Sequence, residues 1–544
     1  MKWIKSFLLA VLLLTLTFGM TSQVNAEEGT YEELSWEKKH ELLTNAALKY
    51  DIPPEILKAI AMAENKMNQF DENGHTIVSD DGGIGMMQIT NTDFDFNKEK
   101  LKTDTAYNIE AGAKVLNNKW EKMKAGTLPE INGADNRHII EQWYYPIMAY
   151  NGIANRNNPD NEERVKPTYQ QEVFSIIEEN SLVQIADTPE QFEFGLDDKG
   201  QLRFKKMTYS WDEADSHTTQ MFKEGDKVYA LNDGDAYYGN FRDQKEMANA
   251  SSRRIPYYTE LEITGGPYFL NSTQDNHFIT YQVEGVNFSG YMASSNLRPI
   301  ETLPSGFTKE NPKENVAIDK TWEIEMNTTI DSSTVHPRNV YMVREDGMGI
   351  RADVSVNGKF ITVKPQQDYM PGQTYTLYIK DLKSTCGKKM EDKVSMTFQV
   401  EEPYKESVEK ENVVLEASMN KKSFSDGDQI RVTGSIENQA NEPFVYYGSS
   451  TLSHSANLHF SIQQDGEPVY FNGKGDLPPR FVKDDWIELE LKAGAKKTSF
   501  ATFDLSIQNF MEEGTPIYDA PKGEYTLIAR YGSEFLLEMP FVIE

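Results

Sequence analysis

The chain holds 544 residues, 38% apolar and 26% charged, enough for about three to four domains and ordinary for a soluble folded protein. Asp and Glu outnumber Lys and Arg by 85 to 55, a formal charge of −30, which argues against a nucleic-acid binder because no local basic patch offsets phosphate repulsion. A lone cysteine, Cys386, excludes an intrachain disulfide framework and any cysteine-built zinc site.

Lys2 and Lys5 precede an apolar run from Phe7 to Met20, and Val24-Asn25-Ala26 supplies a small-x-small cleavage site. Residues 1–26 are therefore expected to be a secretory signal peptide, with an exported mature chain beginning at Glu27. That run is short for a spanning helix and nothing later approaches the roughly 18 apolar residues required, so no membrane span is expected after cleavage.

Helical periodicity follows from Tyr31 to about Leu182. Trp36, Leu42, Leu43, Ala46 and Ala47 form one stripe; Ile56, Leu57, Ile60 and Ala63 form another after Pro53-Pro54, prolines that suit a first helical turn. Further helices are predicted over Thr105–Met123, Arg137–Tyr150 and Tyr169–Glu179. Past Asp187 the pattern turns to short alternating runs separated by Gly-Asp and Asn-Gly turns, such as Lys227-Val228-Tyr229-Ala230 and Lys359-Phe360-Ile361-Thr362-Val363. Clusters of Pro, Glu and Lys divide the chain into a helical domain at 27–185, a linker at 186–215, and β modules at 216–302, 303–402 and 403–544. The expected class is multidomain α+β.

The sharpest chemical signal is Glu64, at the end of the second helix and on its apolar stripe, four residues after Ile60 and seven after Leu57. A carboxyl on a packed face loses hydration, which raises its pKa and lets it hold a proton near neutral pH for donation to a leaving oxygen. Downstream come Asn73-Gly74, read as a hairpin turn, and then Ser79-Asp80-Asp81-Gly82-Gly83-Ile84-Gly85-Met86-Met87-Gln88. Ala111-Gly112-Ala113-Lys114-Val115-Leu116 lies in one later helix and Ala149-Tyr150-Asn151 ends another.

A glutamate at a helix end, a Gly-x-x-Gly-Leu-Met-Gln-like turn, an Ala-Gly-x-x-x-Leu helix and Ala-Tyr-Asn, in that order, resemble the soluble lytic transglycosylase family with its lysozyme-like fold. The resemblance covers about residues 33–181. It implies Glu64 as a single acid/base, with Gln88, Tyr150, Asn151, Met87 and Asn65 as substrate-binding candidates and Gly83 and Gly85 as structural. Asn65 stands where the family usually has serine. The implied reaction is cleavage of the MurNAc–GlcNAc bond of peptidoglycan by a secreted, cell-wall-associated enzyme that needs no cofactor or metal. Asp80 and Asp81 leave open a goose-lysozyme-like hydrolase, in which a second carboxylate activates water. A non-enzymatic wall-binding scaffold is the third reading.

The β modules carry looser resemblances. Residues 217–300 are similar to a bacterial SH3-like barrel, with Tyr237, Tyr238, Tyr257, Tyr258 and Tyr291 as a candidate ligand face. Residues 313–401 resemble bacterial Ig-like domains, and 412–544 a BsuPI-type proteinase-inhibitor-like sandwich. They are expected to contact peptidoglycan, other cell-wall polymers or envelope proteins.

Overall fold

The computed structural model describes residues 30–90, 92, 94–161, 166–188, 194–212, 214–234, 238–246, 252–300, 306–449, 458–475, 486–507 and 518–544. The expected leader and Tyr237 lie outside them. The chain divides into two compact units, residues 1–305 with Gly347–Gly349, and residues 306–346 with 350–544.

The first unit opens with helix α1 (Trp36–Lys49), whose Ser35 hydroxyl accepts the Lys38 N–H. Helix α2 (Pro54–Asn65) begins on Pro54, where a missing N–H costs nothing, and buries Ile56, Leu57, Ile60 and Ala61 completely. It stops at Lys66 in a left-handed conformation, φ 49°. Then come α3 (Lys98–Thr103), α4 (Thr105–Lys124, capped by the Asp104 side chain), α5 (Tyr144–Asn151) and α6 (Tyr169–Ile176), the last opened by a Thr168–Gln171 capping box. The helix expected over 137–150 is in fact a 3₁₀ turn, Ile140–Trp143, running into α5. Pro146 falls in the first turn of α5, where proline is accommodated, so the pattern starts afresh there. Trp120, Trp143, Tyr144 and Tyr145 fill the core.

The stretch 186–215, expected as a linker, belongs to this core. Strands β2 (Phe194–Leu196) and β3 (Leu202–Phe204) form a hairpin, and β4 (Thr208–Tyr209) pairs in parallel with β1 (Glu130–Ile131). Leu202, Tyr209 and Trp211 are buried among the helices, Trp211 edge-on to Tyr144. Polar composition hid these anchors because each hairpin strand offers only one or two apolar side chains.

Residues 227–299 make a seven-stranded antiparallel sheet in the order β11-β5-β8-β9-β10-β6-β7. Its strands are β5 (Lys227–Ala230), β6 (Tyr238–Arg242), β7 (Ser252–Pro256), β8 (Glu260–Tyr268), β9 (Thr280–Gly285), β10 (Phe288–Ala293) and β11 (Leu297–Pro299). Val228, Phe241, Leu261, Tyr281, Val283 and Met292 meet in one core, so the sheet curls on itself. Tyr257 and Tyr258 are buried, which removes them from the expected aromatic face; the Tyr257 hydroxyl donates to Asn232.

The second unit contains two sandwiches. In the first, strands Trp322–Glu325, Phe360–Pro365 and Ala352–Asn357 share a core with Val340–Arg344, Thr374–Ile379 and Val394–Val400, built on Trp322, Met342, Ile361, Tyr375 and Phe398. The second packs Val413–Met419, Gln429–Asn438 and Lys496–Ile507 with His459–Gln464, Gly523–Tyr531 and Phe535–Ile543 around Ile436, Phe460, Tyr525 and Phe541.

Candidate active site

Glu64 occupies the last turn of α2 and is half-buried. The Tyr169 hydroxyl, on the first residue of α6, donates to its Oε1 at 2.6 Å. Burial pushes the Glu64 pKa up to about 7; the Tyr169 hydrogen bond and Arg156 pull it down, while the charges of Asp81 and Glu172 add to the rise. At neutral pH such a carboxyl divides between acid and carboxylate, the condition for giving and retaking a proton. Burial, then the Glu64 charge, raises the pKa of both Tyr150 and Tyr169 well above the ordinary phenol value, so both remain neutral donors.

A tight loop stands beside this group. Gly83 N–H donates to Ser79 Oγ, and the Ser79 hydroxyl donates to Asp81 at 2.5 Å. A Cβ on Gly83 would lie 2.8 Å from both Gln88 Oε1 and Ser79 Oγ, and one on Gly85 (φ 71°) would overlap the Gln69 and Asn108 amides. Those two amides hold the loop from beneath. Gln69 accepts from Met86 N–H and donates to the carbonyls of Leu101 and Lys102; Asn108 accepts from Met87 N–H and donates to those of Ile84 and Leu101. Gln88, at φ 48°, folds its amide back onto Gly85 O at 2.7 Å. The Tyr150 hydroxyl donates to Met87 O at 2.8 Å, tying the end of α5 to this loop.

The sequence candidates thus divide. Glu64, Gln88, Tyr150 and the Gly83–Gly85 loop are brought together. Asn151 sits at the end of α5, its carboxamide oxygen accepting from Arg156 and Asn157. Asn65 spends its amide on Asn68 O, closing the turn after α2. Met87 is fully buried, so its side chain is withheld from any ligand and only its carbonyl joins the site, correcting its place among the substrate-binding candidates. Tyr169, Gln69, Asn108 and Arg156 were missed. Thr168-x-x-Gln171 marks the start of α6 and so the position of Tyr169, but nothing in the sequence aims that tyrosine at a residue 105 positions away.

A hollow of about 540 Å³ opens in the second unit among Ile324, Met326, Leu382 and Met390. On its rim Glu325 pairs with Lys359 and Glu391 with Lys388, all exposed, unlike the half-buried Glu64.

Residues 41–172 match the model of the transglycosylase SLT domain, and residues 305–400 that of a bacterial Ig-like domain. No curated protein matches the chain. Among solved structures, the N-terminal part of the bacterial S-layer protein SbsC is 13% identical over 43% of this chain and 44% of that one, with a TM-score of 0.16. A β-glucosidase from Listeria innocua in complex with glucose is 13% identical over 29% and 16%, with a TM-score of 0.15. The chain thus spans less than half of either structure, and likenesses of this size say nothing further about it.

Proposed function

We propose that the chain, which carries an SLT domain over residues 41–172, is a secreted lytic transglycosylase with Glu64 as its only acid/base. An SLT domain implies peptidoglycan as the substrate and an extracellular or periplasmic place of action. The observation that supports the reading is the half-buried Glu64 carboxyl held by Tyr169, with its pKa at about 7.

Protonated Glu64 donates to the glycosidic oxygen as the C1–O bond of N-acetylmuramic acid breaks, and the sugar's acetamido group supports the positive centre. The resulting carboxylate takes the proton of the same sugar's 6-hydroxyl, whose oxygen closes onto C1. The bond is cleaved without water, leaving a 1,6-anhydro end and Glu64 reprotonated.

One observation keeps a hydrolase in view: the Asp81 charge reaches Glu64. Asp81 is exposed, however, and its Ser79 hydrogen bond holds its carboxyl below the usual range. Digestion of purified sacculi followed by mass spectrometry of the muropeptides separates the cases. Anhydro ends support the proposal, reducing ends carrying one added water indicate the hydrolase, and intact sacculi with bound protein indicate a scaffold. Glu64→Gln should lower turnover by about 10³-fold while binding persists.

A further inference from the structure

Helix α2 carries two further charged side chains, Glu55 and Lys58, both with no solvent exposure. Their partners come from the sheet module and the irregular segment that leads into it, more than 160 residues on. Glu55 Oε1 accepts the Thr219 N–H at 2.7 Å and the Thr219 hydroxyl at 3.0 Å, while Oε2 accepts the Thr218 hydroxyl at 2.7 Å. Lys58 Nζ donates to Gln220 Oε1 at 2.6 Å and to His277 O at 3.0 Å, and Gln220 Nε2 donates to the same carbonyl at 3.1 Å. Thr218, Thr219, Gln220 and His277 are themselves buried. Beside them His40 of α1 bonds Thr273 O at 3.0 Å, its ring 5.2 Å from that of His277.

A tether that only holds an enzyme near its substrate has no need of such a joint. Ionic groups buried in low dielectric are costly unless hydrogen bonds match them, and the three bonds to Glu55 and two from Lys58 constrain the geometry of the joint. It grips the N-terminal half of the helix whose last turn carries Glu64. Nine residues at 1.5 Å each put the backbones of Glu55 and Glu64 about 13.5 Å apart along one stiff rod.

We propose that Glu55 and Lys58 are positioning residues through which the sheet module sets the depth and orientation of Glu64, making that module part of the catalytic apparatus. This rests on Glu64 being the acid. Displacement at the gripped end tilts the rod, and misplacement of a reacting group by about 1 Å costs up to two orders of magnitude in rate.

The test changes only the sheet side, in the full chain: Thr219→Val and Gln220→Leu, with Thr219→Ser as the conservative control. Turnover of purified glycan strands is measured against pH, together with hydrogen exchange of residues 60–65. The expected result is about a tenfold fall in kcat with KM within twofold, an alkaline limb moved to lower pH as Glu64 rehydrates, faster exchange at 60–65, and recovery of all three by Thr219→Ser. The proposal is overturned if folded variants keep kcat within twofold on an unshifted profile, or if exchange quickens only over 54–59. Should the unaltered protein not cleave glycan at all, the functional reading falls, and exchange at 60–65 still decides whether the grip reaches the end of the helix.

Discussion

The two ends of α2 each bury a glutamate, and they treat it in opposite ways. Glu55 is sealed from water and accepts three hydrogen bonds, two from hydroxyls and one from a backbone N–H. Glu64 is half-buried and, among the described residues, accepts one, from Tyr169. A carboxylate held by three donors joins two pieces of structure; one held by a single donor in a dry setting keeps its proton within reach of neutral pH. The same residue type, nine positions apart, thus serves as fastener or as reagent according to the donors around it.

The largest effect should come from breaking the fastener. Glu55→Ala leaves the Thr218 and Thr219 donors unmatched and Lys58 without its nearby opposite charge, a loss of about 3–5 kcal/mol. Urea unfolding of the full chain, followed by hydrogen exchange over 54–65, measures it; a loss below about 1 kcal/mol would mean that the joint is loose.

Acid should attack the same end next. Burial, then the Lys58 charge, lowers the pKa of His277 to about 3; burial, Lys58, His277 and Lys39 lower that of His40 to about 2. Both therefore stay neutral in the fold, while the unfolded chain takes up protons below about 6.5. Their stabilisation is complete above pH 6.5 and is lost as pH falls toward 3, at about 1.4 kcal/mol per pH unit for each histidine. Lys58, lowered to about 7 by burial against the opposing pull of Glu55, has the same sign but acts between 10.5 and 7. Unfolding curves at pH 7 and 5 should separate steeply, and less so for His40→Gln.

How much of this was legible follows the distance over which each feature is encoded. Pro53-Pro54, the apolar stripe and Glu64 at its end are written within a dozen residues, and the order of helices and β modules follows from local periodicity. The structural role of Gly83 and Gly85 comes from the resemblance, and the tight loop they form agrees with it. The Gln69 and Asn108 amides that prop it were invisible, because a polar residue between helices looks solvated until the fold closes over it. The fastener was invisible for the same reason: nothing local marks Glu55 and Lys58 for burial, and their partners lie beyond position 217. Trp211, which the structure buries, stands alone within a charged segment.

At the reagent end, Tyr169→Phe removes the single donor to Glu64 among the described residues. That hydrogen bond opposes the rise in pKa, so its loss carries the pKa above 7 and moves the alkaline limb of activity to higher pH. The carboxylate formed after proton donation also loses its stabilising partner, and kcat at pH 7 should fall about tenfold, as for a hydrogen bond to a charged group. Titration of activity for both proteins gives the two numbers; identical limbs would mean that the phenol does not hold Glu64 in solution.

The smallest effect is the most discriminating. Asp81 raises the Glu64 pKa only through its charge, from an exposed position. If that is all it does, Asp81→Asn moves the alkaline limb slightly to lower pH, leaves kcat on its plateau unchanged, and loses even that shift in high salt, where the Debye length contracts to about 3 Å at 1 M. If Asp81 instead activates water, the same substitution abolishes turnover at every pH and ionic strength. A carboxylate acting across space is screened by salt, whereas one taking a proton is not.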